Sequence, residues 1–506
     1  MKETPNPKSK WYWPLLRRGL MGLAVLATLA AALVTEEDWR AKHAWQAYRR
    51  AAEACGERLD LAGVIPRPEP DDQNFFAAPA VAEALKADRN DSNSVNRLRF
   101  EFERGDSAIW PTNGGYWQEG RLTDLRQWQT YFRTFNATAE GKTNGFPQAA
   151  QPQTPAADIL LALSSFNPAL EELRRASKRP GARLPLKYEL GFEDAGELLP
   201  WLATEKRWGQ FLQLRTLAEL DAGQGEAALK DVQLSMRLMD GLRNQPLLIS
   251  HLVRVALQAI ALQPIYEGLA LHRWNDAQLA ELEAVLAEQD FLADFKSAMR
   301  GERTCAIQEF ETERLTREMR AVGGEVGHEE IVTNSLRWMP SAYFYQNELA
   351  FARLYDQVVL PLVDLTNRTV SVAAYRTSEA DYKAHLKHYS PYSAQAWMAF
   401  PSLAKCVLRF AIAQADVDLA RVACALERYR LAHGEYPATL EALAPQCIEK
   451  LPHDIINGQP LHYRRTEDGK FVLYSIGWNE KDDGGTVALT KGGRVDLENG
   501  DWVWKY

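Results

Sequence analysis

Residues 403–443 read LAKCVLRFAIAQADVDLARVACALERYRLAHGEYPATLEAL, and this stretch decides how the C-terminal end folds. Apolar residues recur at helical spacing, which predicts one long amphipathic helix from Leu403 to His433. Gly434 stands where a helix ends, because glycine takes the left-handed backbone of that position at no steric cost. Pro437 and Thr439 open a short second helix through Leu443. Downstream, Gly458–Tyr463 and the alternating Phe471-Val472-Leu473-Tyr474-Ser475 predict two strands joined by the turn Glu467-Asp468-Gly469-Lys470. The loop Ile476–Gly485 comes next. Upstream, Pro401 marks a boundary.

Working outward, residues 157–300 carry a helical pattern. Phe211, Leu214, Leu217 and Ala218 share one face, and Leu229, Val232, Met236 and Met239 another. The turn Asp221-Ala222-Gly223-Gln224-Gly225 lies between them, which predicts a helical hairpin. It looks like half of a tetratricopeptide unit, but no second copy occurs after it. Leu247–Leu262 is apolar on nearly all faces; Arg254 inside it and Pro264 closing it favour a buried central helix over a second membrane span. Asn275 caps a helix over Asp276–Ala287. Glu302–Glu330 is charge-dense and reads as a solvated face ended by Gly323, Gly324 and Gly327. Residues 340–390 return to helix; His385 and His388 have no carboxylate or cysteine at a matching offset and read as surface histidines.

Residues 36–58 read as a helix broken at Gly56, and the proline-rich stretch 65–74 as an extended connector whose Asp71 and Asp72 cap a turn before a helix at Pro79–Ala87. Residues 95–147 interleave Phe100, Phe102, Trp110, Tyr116, Trp117, Trp128, Tyr131, Phe132 and Phe135 with Arg97, Arg99, Arg104, Arg121, Arg126 and Arg133. Core aromatics are the default reading; a saccharide-stacking surface is the sharper alternative. Residues 136–157 read as a loop.

At the N-terminus, Gly19–Thr35 is uncharged and apolar. Lys2, Lys8, Lys10, Arg17 and Arg18 precede it, Trp11, Tyr12 and Trp13 flank it, and Glu36, Glu37 and Asp38 come directly after it. Extended by Leu15 and Leu16, the run is long enough to cross a bilayer, and the charge asymmetry keeps the N-terminus in the cytoplasm. Gly19–Val34 is thus the expected lipid partner, and the rest of the chain is exported to the extracytoplasmic, periplasmic side of the inner membrane. The rival is a cleaved signal peptide, since Ala30-Ala31-Ala32 satisfies the cleavage rule. Five cysteines (Cys55, Cys305, Cys406, Cys424, Cys447) form no metal or disulfide framework. In an oxidising compartment Cys424 with Cys447 is the preferred pair; buried apolar cysteines are the default reading.

The 506 residues suggest two to four domains. A net charge of −8 with 46% hydrophobic and 25% charged residues argues against wholesale disorder, collagen and a polytopic membrane protein. It also argues against a nucleic-acid partner. The division expected is 1–35 stub and anchor, 36–150 helical and extended aromatic-rich segment, 151–400 helical body and 401–506 C-terminal domain, in a mainly α chain.

The C-terminal phrases Ala425-Leu426-Glu427-Arg428-Tyr429-Arg430, His433-Gly434-Glu435-Tyr436-Pro437, Gly458…Pro460…Tyr463-Arg464 and Leu473-Tyr474-Ser475-Ile476-Gly477 occur in one order. In that order they resemble the globular head of the major pseudopilin of type II secretion systems. The resemblance covers residues 402–506 and implies a small α+β domain, a long helix packed on an antiparallel sheet. It also implies a calcium ion (Ca2+) in the loop after the last hairpin, with Asn479, Asp482, Asp483, Asp496 and Asp501 as oxygen ligands. The plain alternative is a polar turn that needs no metal. Pseudopilins begin with a processed leader and an early glutamate in their hydrophobic helix; Gly19–Val34 has none, so filament assembly is not implied. The whole chain looks similar to single-anchor bacterial envelope proteins, a likeness that implies no activity.

No GxSxG, HExxH, Walker loop or GxGxxG opening a helix occurs. The expectation is a membrane-anchored, non-enzymatic binding or scaffold protein, with other envelope proteins as partners. The alternative is an extracytoplasmic glycan-binding protein or hydrolase using residues 100–135, with Asp106, Glu119 or Asp124 as acids.

Overall fold

In the computed structural model, residues 9–86, 98, 100–104, 107–111, 115–188, 195–321, 339–385 and 390–506 are described. Asp106, Arg97, Arg99, His388 and the glycines at 323, 324 and 327 lie outside them. The chain is mainly helical with small C-terminal sheets.

Fourteen helices are described: α1 (Ser9–Ala54), α2 (Pro79–Lys86), α3 (Leu125–Ala137), α4 (Ala139–Asn144), α5 (Pro155–Leu163), α6 (Asn167–Ala176), α7 (Ala195–Asp221), α8 (Gly225–Asp240), α9 (Leu248–Ala270), α10 (Asp276–Ala287), α11 (Phe291–Ala321), α12 (Ser341–Leu354), α13 (Val372–His385) and α14 (Ala394–His433). The strands are β1 (Val363–Asp364), β2 (Thr369–Val370), β3 (His462–Arg465), β4 (Phe471–Ser475), β5 (Val487–Leu489), β6 (Val495–Gly500) and β7 (Trp502–Lys505).

Most of the stretch 403–443 lies in α14. Gly434 closes that helix at φ 84°, donating its N–H to the Arg430 carbonyl. Two expectations about this helix change. It starts at Ala394 and runs through Pro401, so no break falls at residue 401. The proline costs one backbone bond, which the burial of Ala396, Phe400, Leu403 and Ala404 around it offsets. Nor is it amphipathic along its length: from Phe410 to Glu427 every residue except Arg421 is buried. The reason is packing on two sides. α9, α10, α11 and α12 cover one side, and β4 and β7 cover another.

Three strands form the larger sheet, ordered β3-β4-β7 and antiparallel throughout, with Leu473 of β4 opposite both Tyr463 and Trp504. β5 and β6 make a separate antiparallel ribbon. A single buried cluster extends from Leu61 to Trp504, so residues of the segments 36–150, 151–400 and 401–506 share one core.

Local signals set the body helices. Gly223, at φ 73°, turns the chain between α7 and α8, and Asn275 with Gln278 forms a capping box on α10. α9 does not stop at Pro264 but continues to Ala270, because the residues from Gln263 to Leu269 are all buried and hold it in place. A helical turn, α4, interrupts the expected loop 136–157. The charge-dense stretch is the largest departure. Arg303 is fully buried and Arg314 nearly so on α11, and Glu302 accepts the Leu248 N–H, so this part of the helix is not a solvated face. Periodicity of charge cannot reveal that each arginine has a carboxylate from a distant element beside it.

Candidate functional site

α1 is one continuous helix with two environments. Residues 13–36 are exposed, and its most apolar window has no buried residue. Beyond them Ala41 and Trp45 are buried against α12 residues Ala342, Tyr345 and Leu349. The helix ends before Gly56, at φ 85°, and Glu57 turns back onto α11. There Arg300 Nη2 and Arg303 Nη2 each donate to Glu57 at 2.8 Å. Arg303 also pairs with Asp356, whose other oxygen accepts the Tyr48 hydroxyl at 2.7 Å. The hydrogen bond from Arg300, joined by Arg303, holds the Glu57 carboxyl down to about 2, although partial burial opposes this. Burial and the Asp356 carboxylate push the Tyr48 hydroxyl up.

These contacts set the direction of four helices. α12 runs alongside α1: its Ala342 N–H donates to Asp38, and Asp356, just past its end, meets Tyr48. α11 runs the opposite way, with Arg303 at Glu57 and Arg317 donating to Met339 and Ser341. α14 rises with α1. Tyr392, just before it, bonds Glu37, and further along Phe410 packs on Phe295 and Gln414 accepts the Phe291 N–H. Its 40 residues span about 60 Å. The exposed apolar half of α1 thus leaves the body at one end, and the C-terminal sheet lies toward the other.

The five expected calcium ligands are all described, and each is engaged in hydrogen bonds. Asp501 accepts the N–H groups of Asp483, Gly485 and Thr486. Asp482 accepts the Tyr474 hydroxyl and the Gly484 N–H. Asp483 accepts from the Asn479 amide, whose own oxygen accepts the Lys481 N–H. Asp496 accepts from Glu498 and Asn499. Among the described residues no group of three His, Cys, Asp or Glu side chains could hold a metal ion. Each of these carboxylates accepts amide bonds that use part, not all, of its acceptor capacity.

Most of the aromatic stretch is core, with Tyr116 exposed and Trp110 and Trp128 half-buried. Phe100, Phe102, Trp117, Tyr131, Phe132 and Phe135 are buried, and Phe100 and Phe102 pack on Phe211 of α7. Of the suggested acids, Glu119 pairs with Arg121 and Asp124 caps α3. Asp71 and Asp72 are exposed in a turn, and Asn74 rather than either aspartate caps the next helical turn. All five cysteines are unpaired; Cys424 is fully buried in the core and its burial pushes the thiol up, so the preferred pairing with Cys447 is not formed.

Sequence reasoning missed a cleft of about 240 Å3 where α10, α11, the β1–β2 turn and α14 meet the segment before β3. Asp290, Arg368, Gln414, Asp418, Arg421, Lys450 and His453 line it. Burial pushes the Asp418 carboxyl up to about 6, against the Gln414 amide that donates to it. Arg368 is paired with Asp290 at 2.7 Å and Arg421 with Glu283 at 2.9 Å, so the charges largely compensate one another. Among the described residues, those lining the cleft beside His453 include no serine, threonine or cysteine. Only the meeting of these separate elements brings the residues together, which no spacing in the chain encodes.

No family model, no curated protein and no solved structure matches this chain.

Proposed function

We propose that this protein is a single-anchor membrane protein that holds a folded body and head outside the cytoplasmic membrane, as a non-enzymatic binding or scaffold component of a secretion or envelope complex. The observation that carries this reading is α1. One unbroken helix passes from a fully exposed apolar half into a half buried against α12 and tied to Arg300 and Arg303 through Glu57. Exposed leucines and valines over more than 20 residues are costly in water and favourable in lipid. Positive charge before the run and acids after it support an N-terminus in the cytoplasm.

Two other helices, α9 and α14, are long and apolar enough to span, but about half of each apolar window is buried within the protein. α9 carries Arg254 paired with Asp294, and α14 carries Asp416, Asp418, Glu427 and Arg428, which supports a single crossing. The head of the molecule, a long helix on the sheet β3-β4-β7, supports the likeness to pseudopilin heads.

Fusing a periplasm-active reporter and a cytoplasm-active reporter in turn to residue 506 tests the topology. Activity of the first and silence of the second is the expected result; the reverse overturns the reading. Crosslinking in intact cells, then purification from the membrane, is expected to recover envelope proteins. Recovery of the chain alone from the soluble periplasm, starting near Thr35, would instead mean that the anchor is cleaved.

A further inference from the structure

The contacts that fix helix direction also fix height above the bilayer. Asp38 lies four residues, about 6 Å along the helix, beyond Val34 at the end of the apolar run. The hydrogen bond from Ala342 to Asp38 sets the start of α12 at that level. The last turns of α11 lie there as well, because Arg317 reaches Met339 and Ser341, and the Ser341 hydroxyl donates to Glu318. Between and beside these residues, Leu315 and Met319 are 44% and 46% exposed, and on α1 Trp39 is 60% exposed. A bilayer has an interfacial layer about 5–8 Å deep outside its hydrocarbon, where indole and other amphipathic groups are favoured. Met398, 66% exposed, stands six residues past Tyr392, about 9 Å higher than the Glu37 level and therefore beyond that zone on the body side.

Resting on the single-anchor reading, we propose that the end of the body nearest the anchor sits on the lipid headgroup layer, with Trp39, Leu315 and Met319 inserted in it. The occupant of this apolar rim is the same bilayer that α1 crosses, since the rim is continuous with the helix where it leaves the lipid. Contact at two helices, α1 and α11, keeps the body from swinging about its stem, so the four-helix axis stays at a constant angle to the membrane. A single tether alone would leave that angle free.

The test uses the full chain in vesicles of mixed neutral and anionic phospholipid, in a background where Cys55, Cys406 and Cys447 are serine. Single cysteines at Leu23, Leu315, Met319, Met398 and Leu431 carry an environment-sensitive fluorophore, read against lipids bearing quenchers in the headgroup or in the acyl chain. Leu431 is 33 residues, about 50 Å, further along α14 than Met398 and serves as the distant reference. The expected result is acyl-chain quenching at Leu23, several-fold stronger headgroup quenching at Leu315 and Met319 than at Leu431, and an intermediate value at Met398. Quenching at Leu23 with Leu315 and Met319 no different from Leu431 overturns the resting contact and leaves the anchor standing. Absence of quenching at Leu23 overturns both.

Discussion

The stem junction and the distal loop both rely on carboxylates, but they pair them differently. At the junction, Glu57 and Asp356 meet the guanidinium groups of Arg300 and Arg303, carried on another helix more than 50 residues away in sequence. In the loop, Asp501 meets three N–H groups within 18 residues, and Asp454 likewise accepts from Ile456, Ile476 and the Ser475 hydroxyl. The difference is one of purpose. A charge pair between long side chains locks element to element, whereas a short carboxylate on backbone amides shapes one loop.

Removing one partner at each end separates the two devices. Arg303→Ala leaves Asp356 without its buried cation and Glu57 with Arg300 alone, and should cost about 3 kcal/mol, the lower end of the range for breaking a buried pair from one side. Denaturant unfolding of the full chain in detergent checks it. A loss below about 1 kcal/mol would make the junction an ordinary surface pair. Asp501→Ala leaves three amides without their acceptor and should cost about 1–3 kcal/mol. Its signature is local, with faster hydrogen exchange over residues 477–486 and unchanged exchange over α1 and α12.

Acid divides the stem junction from the Asp418 cleft by sign. The folded Glu57 carboxyl is held to about 2, below its ordinary 4.5, so its contribution is complete above 4.5 and is lost as pH falls toward 2. In the cleft, Asp418 is raised from 3.8 to about 6, so the fold is penalised as pH rises from 3.8 through 6 and recovers on acidification. Melting temperatures from pH 7 to 3 should therefore lose their upper limb in Asp418→Asn and their lower limb in Glu57→Gln. The smallest effect belongs to the loop itself. Adding calcium or a chelator is expected to leave the melting temperature unchanged, and a calcium-dependent rise would mean that the amide bonds of Asp482 and Asp501 give way to a cation.

Legibility in the sequence tracks the range of each interaction. Gly434, Gly223 and Asn275 act within a turn of their own position, and each ends or starts its helix where the residues alone indicate. The apolar run of α1 is equally local. Pro264 and Pro401 mislead because their cost is local while the packing that offsets it comes from other elements. Arg303 and Arg314 mislead for the same reason, and the Asp418 cleft has no signal at all in residue spacing. Asp501 organises its loop through the N–H groups of Asp483, Gly485 and Thr486.

α14 has a last consequence, for how such a chain could change over generations. Because this helix belongs at once to the body core and to the sheet, the C-terminal end is no detachable cartridge. A gene rearrangement joining a new head after residue 400 would strip α9, α10 and α11 of the surface they pack on. A viable exchange must therefore carry the helix along, or leave it in place and replace only the residues beyond Gly434.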